Sequence, residues 1–203
     1  ICVSVNDEVV HGIPDKNRVI KEGDIVSLDA GMIFKGYHSD AARTFAVGKV
    51  SPEAEQLMRV TKECFFEGIK YAREGCFLYD ISNAVADHAD KYGYGVVEDL
   101  VGHGIGRSLH EDPEVPNFHM RSKGPKLRAG MTLAIEPMIN IGTKEVDWLE
   151  YKIFAPEERN AKIKRISEKI LNRTGLTTVR CKTVKELLEK YADGIFKCLD
   201  ICY

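Results

Sequence analysis

The sequence predicts an α+β fold in which short antiparallel strands carry the chemistry and two helices brace them. Three observations predict it. Strand-like runs separated by turn signals open the chain, two capped amphipathic helices fill its middle, and strand-like runs return after residue 94. A nine-residue echo, KEGDIVSLD at 21–29 and RAGMTLAIE at 128–136, links the two strand regions. Both read basic, any, Gly, any, any, apolar, small, apolar, carboxylate. Each is a glycine turn feeding a strand that ends in an acid, so two related halves are expected to face one site.

The elements follow in order. CVSVNDEVVHGIP (2–14) reads as a strand, a tight turn at Asn6-Asp7 and a second strand running to His11. EGDIVSLDAGMIFKGYHSDAARTFAVG (22–48) reads as two more strands with Gly36 at the turn; the first leads to Asp29, and in the second Ser39 and Asp40 precede AARTFAV. Ser51-Pro52-Glu53 starts a helix, with a hydroxyl cap, proline in the first turn and an acid near the positive end of the dipole. Leu57, Val60, Cys64, Phe65, Ile69 and Ala72 follow at helical spacing, and Gly75 ends the run. Asp80 is expected to cap a second helix with Ile81, Val85, Ala89 and Tyr92 on one face. Both faces are assigned to core. GVVEDLVGHGIG returns to strand and loop, and LRAGMTLAIEPMINIG reads as a turn and a strand ending at Glu136-Pro137.

Past Glu150 the character changes. Residues 1–150 hold 17 Lys+Arg against 24 Asp+Glu, whereas residues 151–203 hold 12 against 7. That reversal of sign sets the expected boundary between a first domain, 1–150, and a basic tail, 151–203. Ile163, Ile166 and Ile170, then Val184, Leu187, Leu188, Tyr191, Ile195 and Leu199, form thin apolar seams on two charged segments. A C-terminal helical hairpin with a solvated face is the expectation; contact with ribosomal RNA is the alternative use of its twelve basic residues.

The whole chain of 203 residues carries a net charge of −2, which argues against a general nucleic-acid or membrane-surface binder. No apolar run approaches the roughly 20 residues of a membrane helix. ICVSVNDEVV lacks the basic start and apolar stretch of a signal peptide. Cys2, Cys64, Cys76, Cys181, Cys198 and Cys202 are scattered with no CxxC pair, so reduced thiols and a cytoplasmic location are expected.

Asp29, Asp40, His103 and Glu136 sit at strand ends or glycine turns, with His11 and His110 nearby. Three carboxylates and one imidazole make an oxygen-rich donor set that suits Mn, Fe, Co or Zn better than a thiolate zinc site. Carboxylates gathered in one cavity repel unless a cation neutralises them. A bridging carboxylate can hold two metals about 3.5–4 Å apart, as in hydrolases that share one activated water. Gly102 and Gly104 let His103 point inward, and His110 then reaches the substrate. His38, His88 and His119 have no such context and read as surface or satisfied polar residues.

VNDEVVHGIP, SLDAG, GYHSDAARTFAVG, GHGIGRSLHEDPEVP and AIEPM closely resemble the type I methionine aminopeptidases, in order and approximate spacing, over about residues 1–149. The HGIP block separates that family from its prolidase-like cousins. The resemblance implies the pita-bread fold: pseudo-twofold halves, a curved antiparallel sheet inside, helices outside. It implies up to two divalent ions, Asp29 chelating one, Asp40 bridging both, His103 and Glu136 ligating the other. His11 and His110 would bind the peptide group as catalytic residues, Glu136 would also help activate water, and Cys2 and Leu109 would line the methionine pocket. Leu109 replaces what is often an aromatic residue. The implied reaction is removal of an N-terminal methionine before a small second residue, on peptides and nascent chains. A monomer that meets no membrane is expected.

Two departures accompany the resemblance. The family's fifth ligand, a glutamate in a YEH-like block, has no counterpart; Glu150-Tyr151 is the nearest echo, at about half the family's spacing from Glu136. The family's catalytic domain also begins well before the strand holding Cys2. The chain is therefore expected to be an N-terminally truncated member with a divergent C-terminal tail and impaired activity. The alternatives are a non-catalytic pita-bread binding module and a prolidase-like metallopeptidase.

Overall fold

A computed structural model describes residues 1–146, so the expected C-terminal hairpin and the tail of 151–203 lie outside the described residues. In order the elements are β1 (Cys2–Val5), β2 (Ile25–Phe34), β3 (Tyr37–Ala46), α1 (Pro52–Ile69), α2 (Leu78–Asp90), β4 (Tyr94–Val96), β5 (Gly102–Gly104), β6 (Glu111–Val115), β7 (Leu133–Ala134) and β8 (Ile139–Ile141). The strands form three antiparallel groupings, β1-β2-β3, β4-β8 and β6-β5-β7.

The β2–β3 hairpin turns on Lys35 and Gly36, both at positive φ (50° and 80°), and its ladder pairs Phe34 with Tyr37. Two residues at positive φ match the right-handed twist of the strands they join.

The first expected hairpin does not form. β1 stops at Val5 and pairs with β2 instead, Cys2 opposite Asp29 and Val5 opposite Val26. Asn6 takes a positive φ of 57°, and its side chain donates to Asp24 (2.9 Å) and accepts from the Ile25 amide (3.0 Å). His11 is also at positive φ, 59°, a conformation an extended strand does not contain. What remains of the return segment is one backbone bond, Val3 N–H to Gly12 carbonyl (2.8 Å).

α1 begins as its sequence directs. Ser51 Oγ accepts from the Ala54 amide at 3.2 Å, and Pro52 occupies the first turn. The helix ends at Ile69, six residues before Gly75. α2 starts earlier than expected: Phe77 is the cap residue, and Asp80, inside the first turn, accepts from the Phe77 amide at 2.8 Å. Asp80 thus satisfies an orphan donor from within the helix.

The helices bury Val60, Cys64, Val85 and Ala89 together with Val96 and Ile139. A second cluster, Leu78, Ile81, Val115 and Leu127, ties α2 to β6. Full burial of each large aliphatic side chain here contributes about 1.5–3 kcal/mol. The sheet is less covered: Met32, Ile33, Phe34 and Tyr37 at the β2–β3 turn are exposed. No helix among the described residues is long and apolar enough to cross a membrane.

Candidate functional site

The register of the first sheet sets half of the site. Asp29 pairs with Ala42 and Cys2, and Asp40 pairs with Gly31. Directly opposed residues share a face and side chains alternate, so Cys2, Asp29, Gly31 and Asp40 all lie on one face. Asp29 and Asp40 are diagonal neighbours across the ladder. Gly31, opposite Asp40, leaves room that Leu109 covers, its Cδ1 being 3.7 Å from where a Cβ at 31 would stand. The same face carries a Ser27–Thr44 hydroxyl contact of 2.7 Å, so it is polar along much of its length.

The second half comes from the β6-β5-β7 grouping. His103 is buried on β5, opposite Ala134 of β7 and Glu114 of β6. Its flanking glycines have a steric reason. A Cβ at Gly102 would collide with the carbonyl oxygen of Ala134, and one at Gly104 with that of Asp112. The glycines serve the approach of neighbouring backbones, a reason beyond the inward turn of His103 that the sequence suggested.

His103 Nδ1 lies 2.9 Å from the Gly104 carbonyl, which can only accept, so Nδ1 carries the proton. Nε2, the other ring nitrogen, faces two carboxylates: Glu136 Oε1 at 3.4 Å and Asp40 Oδ2 at 3.7 Å. Two donors that share one ion at about 2.0–2.2 Å each stand about 3–3.5 Å apart. The Glu136 separation fits that spacing, and Asp40 lies just outside it. Among the described residues no three His, Cys, Asp or Glu side chains are drawn together tightly enough to form a closed metal-binding group.

The electrostatics show crowded acids. Burial, then the Asp40 charge and a hydrogen bond with Asp40, raise the Asp29 carboxyl above its ordinary range, while His11 opposes the shift. Burial pushes Glu136 up to about 7; Asp40 and Asp29 add to the rise and His103 pulls against it. The Cys2 thiol is raised by burial and then by Asp29. Asp29, Asp40, His103 and Glu136 therefore sense one another, as does Cys2 with the two aspartates.

The remaining expected residues border this cluster. His110 packs edge-on against His103, ring centroids 4.2 Å apart. The loop that carries it is pinned to β3 by the His38 amide donating to the Gly106 carbonyl (2.7 Å) and is braced by the Ser108 amide donating to Glu111 (2.7 Å). His11 is exposed and near enough to Asp29 to favour its charged form. Its left-handed backbone is strain of the kind that tends to collect at working sites. His88 and His119 stand apart, paired with Glu63 (2.9 Å) and Asp90 (2.8 Å). Cys2, Cys64 and Cys76 are free thiols.

Sequence reasoning passed over Asn117. It is fully buried, and its Nδ2 donates to the Glu136 carbonyl at 3.1 Å. Pro116-Asn117 reads as a turn in the sequence, and nothing local marks a buried amide.

The strand-borne carboxylates, buried glycine-flanked imidazole and antiparallel groupings define a protein of the pita-bread metallopeptidase class. The chain belongs to metallopeptidase family M24, which it matches over residues 1–174. It is 56% identical over 153 residues to a methionine aminopeptidase of Clostridium acetobutylicum, covering 73% of this chain and 61% of that protein. A crystal structure of methionine aminopeptidase from Thermotoga maritima superposes with a TM-score of 0.71 at 48% identity, covering 73% of this chain and 60% of the other. The prolidase of Pyrococcus furiosus is more distant, with a TM-score of 0.60, 26% identity, and coverage of 70% and 41%. The resemblance read from the motifs and the pita-bread architecture thus hold, with the aminopeptidases nearer than this prolidase. The chain spans about three fifths of the length of the relatives it matches.

Proposed function

We propose that this chain carries the metal-binding and substrate-contacting part of a methionine aminopeptidase, which hydrolyses the bond after an N-terminal methionine that precedes a small residue. One observation carries the reading: a buried imidazole, its Nδ1 proton committed to a carbonyl, turns its Nε2 toward Glu136 and Asp40 at 3.4 and 3.7 Å. One imidazole nitrogen and two carboxyl groups facing one another are a donor set that a divalent cation could draw together. The donor set fits Mn, Fe, Co or Zn. Relatives named methionine aminopeptidase support the choice of substrate.

In this reading Asp29, Asp40, His103 and Glu136 would hold up to two divalent ions. Such ions would polarise a peptide carbonyl and make water a nucleophile near neutral pH. The residues do the rest. Glu136 accepts the proton released by the attacking water. His11 and His110 donate to the peptide group and to the charge that develops on its oxygen. Cys2 and Leu109 bound the methionine side chain. Residues 1–150 form the catalytic portion and 151–203 a basic tail, and the chain works in the cytoplasm, as a monomer, on peptides and nascent chains.

The test is methionine release from Met-Ala-Ser after EDTA treatment, with and without added Mn2+ or Co2+. Metal-dependent release is expected, abolished in folded Asp40→Ala and His103→Ala variants. Its rate should fall below that of a relative that carries the YEH-like block, because residues 1–203 contain no such block. Cleavage of Xaa-Pro dipeptides in preference to Met-Ala-Ser would move the chain to the prolidase class. A folded chain that takes up no divalent metal would refute the proposal and leave a binding module.

A further inference from the structure

We infer that Asn117 is a positioning residue that fixes Glu136, and through it the metal-facing carboxylate; the inference rests on the reading of Glu136 given under the proposed function. The problem it solves is a gap in backbone pairing. β7 ends at Ala134, which still pairs with His103, and the next ladder, β8, begins at Ile139. Met138 is tied by the Val97 amide, which donates to its carbonyl at 3.0 Å. Glu136 falls between these anchors, and Pro137 after it has no N–H to offer. A carboxylate that must reach His103 Nε2 at 3.4 Å is thus mounted on backbone outside any strand.

Asn117 supplies the missing partner. Its side chain is fully buried, and Nδ2 donates to the Glu136 carbonyl at 3.1 Å. The orientation of the amide follows from chemistry, since the flipped form would set oxygen against oxygen. Oδ1 is buried with no hydrogen-bond partner among the described residues. An unsatisfied buried acceptor is destabilising. Packing alone gives no reason for an amide here: the flanking Val115 belongs to one core cluster and Phe118 packs against the other, and an apolar residue would fill the same space. The Asn is explained by what its donor does to Glu136.

The experiment uses the full chain and three variants. Asn117→Leu keeps the volume and removes the donor. Asn117→Asp keeps the shape and replaces the donor by an acceptor, and it stands in should Asn117→Leu fail to fold. Asn83→Leu is the control: Asn83 joins α2 to the Met120 backbone through two hydrogen bonds (2.8 and 3.3 Å) and does not touch Glu136. Mn2+ affinity is measured by calorimetry, steady-state kinetics on Met-Ala-Ser, and amide exchange over residues 135–138. Loss of a group that orients a ligand lowers metal affinity about 10–100-fold, and that is the expectation for both Asn117 variants. kcat falls with KM within about threefold, because binding of the peptide is not what Asn117 serves. Exchange at residues 135–138 rises. Asn83→Leu, at a similar loss of thermal midpoint, keeps its Mn2+ affinity within about twofold.

Unchanged exchange and unchanged Mn2+ affinity in the Asn117 variants would overturn the inference. So would an equal loss of affinity in Asn83→Leu, which would make Asn117 a general stabiliser. If the unaltered chain binds no Mn2+, the proposed function fails. Exchange at 135–138 then decides the positioning alone: a rise confined to that segment supports it, and no rise overturns it.

Discussion

Placing a methyl group at residue 102 tests the strand packing around His103. In Gly102→Ala the new Cβ would overlap the carbonyl oxygen of Ala134 and stand 3.3 Å from the Val115 Cβ. Neither neighbour can swing away cheaply, because one is backbone and the other a buried β-branched residue. β5 must therefore part from β7. Overpacking a core costs about 1–3 kcal/mol, and a clash against backbone belongs in the upper half of that range. For a chain of this size each kcal/mol lowers the thermal midpoint by about 2–4 °C, so a fall of roughly 4–12 °C is expected. The chemical effect should be larger. His103 is carried on β5, and a displacement of about 1 Å at a positioned group can cost 100-fold in rate. The comparison is Gly130→Ala. Gly130 has a φ of +89° with no atom within 4 Å of its Cβ position, so alanine there incurs backbone strain of about 1–2 kcal/mol without displacing a strand. Urea denaturation and Mn2+ titration on both variants separate the cases. Both lose stability, and only Gly102→Ala loses metal affinity, by at least about tenfold. A Gly102→Ala protein within about 0.5 kcal/mol of the parent, with unchanged affinity, would refute the packing argument.

Two further outcomes are expected. Ile81→Ala empties a fully buried position in the cluster that joins α2 to β6, and should cost about 2–5 kcal/mol in urea denaturation, whereas Ile81→Val costs about 0.5–1.5; equal effects would mean the site collapses around the smaller residue. The Glu8 carboxyl, paired with Arg18, is held below its ordinary range chiefly by that hydrogen bond. A lowered native pKa gives stability that is present above the unfolded value and is lost as pH falls through the native one. Glu8→Gln should thus be less stable than the parent near neutral pH by up to about 1 kcal/mol, given its partial exposure, and the gap should close by about pH 2–3. A gap independent of pH would show that the pair contributes through shape instead of charge.

Legibility differed from element to element. The β2–β3 hairpin and the start of α1 could be read because their signals are local: alternating residues around Gly36, and Ser51-Pro52-Glu53 before a helical periodicity. The first hairpin was misread because the competing partner lay about twenty residues away. Asn6 bonds Asp24 and Ile25, which no window around residues 2–11 contains. Asp80 was placed as a cap when it acts from inside the helix, since both roles put an acid near the same amide. The set Asp29, Asp40, His103 and Glu136 could be named from strand ends and glycine turns. What holds Glu136 could not, because the donor on Asn117 acts across nineteen positions and an asparagine after proline looks like any surface turn. The strand expected up to Glu136 shrank to Leu133–Ala134, leaving the acid just beyond the ladder.

The two-residue turn at Lys35-Gly36 fixes which residues of β2 and β3 stand opposite, and so keeps Asp29 and Asp40 on one side of the sheet. Slip the pairing by a single position and one aspartate swings to the reverse side, leaving its mate alone. The length of a solvent-facing bend, several residues from either acid, therefore helps set how two carboxylates are spaced. An insertion that slipped the pairing would part them without altering either residue.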